Sequence, residues 1–140
     1  MPISLSINAD DQLIIVKLFG IVLPSDLMKL IREADNHPSF SSQMDRLTIV
    51  YEGTDLSSVD SAALAQTKSG VIEVEAHHAN DEQVLRFKSA FVVPPGANAN
   101  IAHLFKAHWE ADSIHKPELQ IFETTDTALK WLGKNSLEIV

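Results

Sequence analysis

Apolar and polar residues alternate with two different periods along this chain, and the switches between them predict where strands and helices begin. Apolar residues alternate with polar ones over residues 3–7, which predicts a strand with one solvent-facing side. Residues 13–19 form an apolar run broken only by Lys17, which is typical of a strand covered on both faces. Turn-forming residues 8–11 between them predict a hairpin.

A first helix is predicted to begin at Pro24. Ser25 can cap it, and Asp26 suits the partial positive charge of a helix N-terminus. Apolar residues then recur at helical spacing until Asn36-His37-Pro38 ends the helix. A third strand is predicted over residues 47–51, followed by a polar loop.

A second helix is predicted over residues 60–78, because its first turns are rich in alanine. Gly70 costs a helix about 1 kcal/mol relative to alanine unless a neighbour packs closely there. Residues 70–75 also alternate as a strand would, so a strand remains an alternative for this segment. Ala63, Thr67 and Gly70 lie on one helical stripe, and their small size would let another element approach closely.

The fourth strand is predicted over residues 84–93, and Pro94-Pro95-Gly96 ends it. Asn98 or Asn100 can cap a third helix. That helix has the most regular amphipathic pattern in the chain, at i, i+3, i+4, i+7 and i+8. The residues on this stripe are Ile101, Leu104, Phe105, His108 and Trp109.

A short fifth strand is predicted over residues 119–122, and Thr124 or Thr125 caps a last helix that ends at Gly133. The resulting order, β-β-α-β-α-β-α-β-α, predicts one α/β domain with a mixed, mostly parallel five-stranded sheet and four main helices. Whether the helices cover one face or both stays open. The apolar tail, residues 134–140, is expected to pack on the body, to pack on another subunit, or to fray.

Composition narrows the function classes. The chain has 140 residues, no cysteine and a net charge of −8. An acidic surface repels phosphate backbones and anionic lipids, so nucleic acid is not an expected partner. Without cysteine, disulfides and thiol catalysis are excluded. Because no signal-peptide pattern and no membrane-length apolar run occur, we expect a cytoplasmic protein without an integral membrane segment.

No catalytic residue, metal site or cofactor is predicted. The chain lacks a Gly-x-Ser-x-Gly nucleophile elbow. His103 and His108 are five residues apart and do not share a helix face. Glu73 and His77 could share a metal, but two ligands do not form a site. The paired carboxylates of Glu73 and Glu75 are interpreted as surface residues.

The element order and the residues after the third strand resemble the STAS domain, the fold of the anti-sigma factor antagonists. In the STAS pattern an acidic residue ends strand three, and Asp-Ser-Ser-Gly-Leu opens the next helix. Here Glu52 takes the acidic place, and residues 60–64 read Asp-Ser-Ala-Ala-Leu. Residues 122–132 also resemble the end of the bacterial SpoIIAA-like, or STAS/SEC14-domain, family. In the antagonists the second serine is the usual phosphate acceptor. Because Ala62 replaces it, the resemblance implies a module without that phosphoserine switch.

The first functional hypothesis is a non-enzymatic regulatory module that binds another protein at the loop before the second helix, as the resemblance implies. An anion is an alternative ligand there, because helix N-termini gather at the carboxyl ends of parallel strands. A third interpretation is that the serines and Asp60 only cap the helix. The candidate residues are Glu52, Asp55, Ser57, Ser58, Asp60, Ser61, Ala62 and Leu64.

The second hypothesis is a carrier or sensor of a small apolar or lipid-like ligand, which the SEC14 side of the resemblance implies. The pocket would lie between the third helix and the sheet. Its candidate lining residues are Phe91, Ile101, Leu104, Phe105 and Trp109. The same residues would also form an ordinary packed interface, and solid packing without a void would remove this hypothesis. A homodimer is compatible with either function.

Overall fold

The computed structural model describes residues 2–79 and 84–134. The strands are β1 (Ile3–Asn8), β2 (Leu13–Leu18), β3 (Asp45–Val50), β4 (Lys88–Val92) and β5 (Glu118–Phe122). The helices are α1 (Pro24–Asn36), α2 (Ser61–His78), α3 (Ala97–Glu110) and α4 (Thr125–Leu132). The predicted element order is confirmed. Most of the apolar tail, residues 135–140, lies outside the described residues.

The five strands lie side by side in chain order, β1-β2-β3-β4-β5. The β1–β2 pair is antiparallel, and the other three pairs are parallel, as predicted. Each crossover therefore advances by one strand in the same direction. Because crossovers between parallel strands share one hand, this order places α1, α2 and α3 on the same face. The last helix, α4, packs on the other face against β3, β4 and β5.

Both faces of the central strands are buried, which confirms the interpretation of the apolar run in β2. Ile14, Val16 and Leu18 face the core under α1, α2 and α3. Leu13 and Ile15 face a second core under α4. Ala128, Leu129 and Leu132 complete that second core. Helices thus cover both faces, three on one side and one on the other.

The first helix begins one residue earlier than the predicted cap. Leu23 is its N-cap, and Pro24 occupies the first helical turn. The Leu23 backbone N–H donates a hydrogen bond to Asp26 Oδ2 at 2.8 Å. Ser25 already lies inside the helix, so its predicted capping role is wrong. The hydrogen bond that the Asp26 carboxylate accepts from Leu23 takes the place of a serine cap.

The third helix also begins earlier than predicted. Gly96 is its N-cap, with φ 135°, a conformation that a residue with a Cβ rarely adopts. Asn98 and Asn100 lie inside the helix, so neither is the cap. Asn98 instead donates from Nδ2 to the carbonyl of Thr54 at 2.8 Å and ties α3 to the loop after β3.

The predicted ends of the other two helices are confirmed. Asp60 caps α2, and its Oδ1 accepts from the Ala63 N–H at 2.8 Å. Thr124 caps α4. Gly133 ends α4 in the left-handed conformation, with φ 73°, and its N–H donates to the Lys130 carbonyl.

The second helix is continuous across Gly70, so the strand alternative for residues 70–75 is wrong. A Cβ at Gly70 would lie 2.9 Å from Ile31 Cδ1 and 3.4 Å from Met28 Cε of α1. The absence of a side chain lets α1 pack directly on this turn. Close packing there accounts for a glycine in the middle of a helix.

The fourth strand is shorter than predicted, because residues 84–87 are irregular. Leu85 and Phe87 are nevertheless buried, in a third cluster with Trp109 and Leu119. The backbone carbonyls of Leu85 and Phe87 accept hydrogen bonds from the chain leading into β5. The apolar pattern of this segment therefore reports burial rather than regular strand structure.

Replacing Gly70 by leucine should lower the free energy of unfolding by about 1 to 3 kcal/mol, because the new side chain overlaps Ile31 of α1. The matched control is Ser69→Leu, since Ser69 is exposed on the same turn of α2. Urea denaturation followed by circular dichroism measures both. Equal stability of the two variants would contradict the close approach of α1.

Candidate functional site

An apolar cavity of about 180 Å³ lies between the sheet and the three helices on its α1–α3 face. The second helix makes its main helix contacts with α1 and α3 and few with the strands. It therefore roofs the space above the central strands instead of filling it. The apolar lining includes Leu5, Ile14, Val16, Leu27, Ile31, Phe40, Leu64, Val71, Phe91, Ile101, Phe105 and Trp109. Cavities with such walls accept small apolar molecules.

Four of the five predicted pocket residues line this cavity. Phe91 of β4 meets Phe105 edge-on, with ring centroids 6.0 Å apart, and Phe105 meets Trp109 in the same way at 6.3 Å. Ile101 continues this wall toward the start of α3. The prediction for Leu104 is wrong, because Leu104 is exposed and does not line the cavity. It falls at the edge of the helical stripe centred on Phe105 and turns to solvent.

A buried ion pair, which the sequence analysis missed, stands at one end of the cavity. Arg46 of β3 lines the wall and pairs with Glu75 of α2, which is only 1% exposed. The Glu75 carboxylate also accepts the Gln43 backbone N–H at 2.9 Å. The Arg46 guanidinium lies 3.6 Å from the centre of the Phe87 ring. Burial lowers the pKa of Arg46 from its ordinary value, and Glu75 opposes that shift.

The interpretation of Glu75 as a surface residue is therefore wrong. Glu75 lies one turn beyond Val71, which lines the cavity, and next to buried Val74. An acidic residue on the apolar stripe of a helix was the available signal. Its partner could not be read from the sequence, because Arg46 lies on a strand 29 residues earlier.

Asn98 and Ile101 line both the apolar cavity and a second cleft of about 490 Å³, whose walls are partly polar and partly apolar. This cleft lies at the carboxyl edge of the sheet, between the loop after β3 and the loop after β4. The hydrogen bond from Asn98 to the Thr54 carbonyl joins α3 to the loop after β3 at this point. The first turn of α3 therefore borders both the cavity and the edge of the sheet.

The predicted partner-binding residues lie mostly on the surface at that edge. The exposed ones are Glu52, Asp55, Ser57, Ser58, Asp60, Ser61 and Ala62. Leu64 is the exception: it is 4% exposed and lines the apolar cavity. Its predicted role in partner contact is wrong, because α2 turns this position toward the sheet. Glu52, Asp55 and Ser57 also line the second cleft.

Hydrogen bonds within this loop occupy several of the candidate side chains. Asp55 Oδ1 accepts the Ser57 backbone N–H at 2.9 Å. The Ser57 hydroxyl and backbone N–H lower the pKa of Asp55, which keeps it ionised. Ser61 Oγ lies 3.0 Å from His108 Nε2 and links α2 to α3. The capping interpretation therefore holds for Asp60 alone. His108 is a half-buried residue at the rim of α3, and its ring contacts Ser61.

Exposed apolar side chains stand beside these carboxylates. They are Phe19, Ile21, Leu23 and Tyr51, in the segments that follow β2 and β3. Two backbone hydrogen bonds join the segments: Asp55 N–H to the Gly20 carbonyl at 2.8 Å, and Val22 N–H to the Asp55 carbonyl at 3.0 Å. Residues 19–26 and 51–62 contain no lysine or arginine. We call these two segments the acidic edge. Its charge opposes anion binding there.

No protein-family model, no curated protein and no solved structure matches this chain. The resemblance to the STAS domain therefore stays a prediction. Among the helices of residues 2–79 and 84–134, none combines the length and apolar character that crossing a bilayer requires. The same residues hold no group of three or more histidine, aspartate or glutamate side chains placed to bind a metal.

Replacing Glu75 by alanine should lower the free energy of unfolding by about 3 to 5 kcal/mol, because it leaves the Arg46 charge buried without a partner. The matched control is Glu73→Ala, an exposed carboxylate on the same helix, which should change stability little. The double variant Arg46→Met/Glu75→Leu should recover much of the loss. Chemical denaturation measures all three. Similar losses at positions 73 and 75 would contradict the buried pair.

Proposed function

We propose that this protein binds a small apolar ligand in the cavity between the sheet and α1, α2 and α3, as a carrier or sensor. The observation that supports this proposal is the cavity itself, which has about 180 Å³ behind almost wholly apolar walls. Core side chains ordinarily interdigitate and leave few voids larger than a water molecule. A space of this size over the central strands is therefore a feature to be explained, and a ligand explains it.

The volume limits the ligand to a small molecule. An apolar cavity of roughly 150 Å³ accepts benzene, whereas pockets for drug-sized ligands measure about 300 to 1,000 Å³. The cavity of this protein fits a single ring or a short chain of about six to nine non-hydrogen atoms. A complete lipid is too large. We therefore narrow the lipid-like ligand that the SEC14 resemblance implies to a compact one.

The wall of the cavity favours binding over chemistry. Arg46 of the wall is neutralised by Glu75, and the remaining polar side chains of the wall are hydroxyls and one amide. None of the lining residues is a histidine, an aspartate or a glutamate. The Glu75 carboxylate, which pairs with Arg46 at one end of the cavity, also accepts the Gln43 N–H. A hydroxyl becomes a nucleophile only with a base beside it. We therefore propose a non-enzymatic role.

Benzene should bind the wild-type protein and raise its melting temperature by roughly 3 to 6 °C at about ten times the dissociation constant. The variant Ala102→Leu should lose this response, because Ala102 is a buried wall residue and the added carbons fill the cavity. Thermal denaturation and calorimetric titration measure both effects.

The matched control for this experiment is Ala107→Leu, because Ala107 is exposed on the same helix. It should respond to benzene as the wild type does. If benzene stabilises neither the wild type nor the control, the proposed ligand site is wrong. If it stabilises all three proteins equally, benzene binds somewhere other than this cavity.

A second candidate function is regulatory protein binding at the acidic edge, in the manner of a STAS module. The observation in its favour is that Phe19, Ile21, Leu23 and Tyr51 are exposed together beside Glu52 and Asp55. Grouped apolar residues with a polar rim mark interaction sites on protein surfaces. Charge complementarity selects a partner segment that is apolar and basic. The partner is another protein, and a second copy of this acidic chain fits the edge poorly.

Replacing Ile21 by aspartate should abolish retention of a partner protein, because Ile21 is 65% exposed at the centre of the acidic edge. Ile114→Asp is the matched control, at 63% exposure outside this surface. Ala62→Glu tests the neighbouring start of α2 in the same way. Native mass spectrometry of each variant, purified gently from the source organism, measures bound polypeptide. Loss of the partner in the Ile114 variant as well, or retention in every variant, would contradict this surface.

A further inference from the structure

Two hydroxyl groups on the central strands face the cavity without a hydrogen-bond partner. Thr48 of β3 and Ser89 of β4 both line it. Their strands pair in parallel, with Arg46 beside Ser89 and Thr48 beside Phe91, so Thr48 and Ser89 are diagonal neighbours on one face. Ser89 is only 5% exposed. Within residues 2–79 and 84–134, neither hydroxyl forms a hydrogen bond with another residue.

These hydroxyls are open to the cavity rather than sealed into the core. Among the described residues, no side-chain nitrogen or oxygen atom that is shut off from all accessible space lacks a partner. An unpaired hydroxyl at these positions must therefore retain accessible surface. Both side chains stand on central strands beneath α2 and α3, so that surface belongs to the cavity. An unmet hydrogen-bonding group in such a place costs free energy unless a ligand or water meets it.

The other polar groups of the wall are already occupied. Thr67 Oγ1 donates to the Ala63 carbonyl at 2.8 Å within α2. Asn98 donates to the Thr54 carbonyl. Arg46 pairs with Glu75. Only Thr48 and Ser89 among the lining side chains offer hydroxyls free to meet a ligand, and they lie together on the floor of the cavity.

We infer that the cavity recognises a compact amphipathic molecule whose single uncharged polar group, a hydroxyl or a carbonyl, hydrogen-bonds to Thr48 and Ser89 while its apolar part contacts the surrounding walls. This inference rests on the proposed ligand-binding function and adds the chemical class of the ligand. Each hydroxyl supplies one donor and two acceptor positions, so the pair can meet either kind of group.

The polar group of the ligand is expected to be uncharged, because the cavity provides no unpaired charge to act as its counter-ion. The Arg46 guanidinium is compensated by Glu75. A carboxylate or an ammonium entering the same space would be a buried charge without a counter-ion, which is strongly unfavourable. A neutral hydroxyl or carbonyl on the ligand needs only hydrogen bonds, which Thr48 and Ser89 can supply.

The test compares benzene, phenol and benzoate by calorimetric titration at neutral pH. These probes share a ring and differ in the polar group. A hydroxyl buried without a partner would make phenol bind at least about fivefold more weakly than benzene. We expect wild-type protein to bind phenol at least as tightly as benzene and not to bind benzoate. The double variant Thr48→Val/Ser89→Ala should bind phenol about tenfold more weakly, with benzene unchanged within about twofold.

Thr67→Val is the matched control, because its hydroxyl lines the same cavity but is bonded within α2. It should leave the order of the probes unchanged. The single variants Thr48→Val and Ser89→Ala, checked by circular dichroism, show that each effect arises in a folded protein. If the double variant fails to fold, the phenol and benzene affinities of the single variants still test the inference.

The outcomes separate this inference from the function on which it rests. If wild-type protein binds benzene but binds phenol more weakly, or if the Thr48 and Ser89 variants keep the phenol preference, the recognition of a polar group is overturned and the apolar cavity stands. Tight binding of benzoate would overturn the requirement for an uncharged group. If no probe binds, both the inference and the proposed function fail.

Discussion

Three helices cover one face of the five-stranded sheet, and the packing of α2 between α1 and α3 determines the rest of that face. The strands lie in chain order, so three crossover helices share one face of five strands. The outer two helices, α1 and α3, contact the edge strands β1 and β5. Both also pack against α2, which lies between them. Gly70 has no side chain, so α1 can pack closely against α2. The space left beneath α2 is the cavity.

The polar residues on the α1–α3 face of the central strands differ in whether a helix provides them with a partner. A charged residue such as Arg46 can stand on a central strand only where a helix brings it a counter-ion, and α2 brings Glu75. Thr48 and Ser89 on the neighbouring positions have no such partner within the described chain. A face built only to fold would place apolar side chains there. Under the proposed function, a ligand supplies the hydrogen bonds that these two hydroxyls lack.

The two candidate functions meet at the start of α3. Asn98 and Ile101 line the buried cavity on one side and the cleft of the acidic edge on the other. A molecule bound in the cavity would contact the same turn of helix that borders the surface proposed for a partner. Under the two proposed functions, a ligand and a partner would therefore both contact the first turn of α3, and a coupling between them would have to pass through it.

The pattern of apolar and polar residues was enough to determine the fold class, the element order and the mixed sheet, because periods of two and 3.6 residues are local properties. Four of the five residues that it predicted for the cavity, on α3 and β4, do line it, since a residue that faces a core is apolar whether or not the core has a void. Leu104 and Leu64 were misplaced because position on a helix stripe decides burial only once the neighbouring elements are in place. The tertiary structure alone decided that α2 roofs the sheet without filling the space, that Arg46 meets Glu75 across 29 residues, and that Thr48 and Ser89 face a cavity. Such contacts depend on distances between elements, and no local period in the sequence records them.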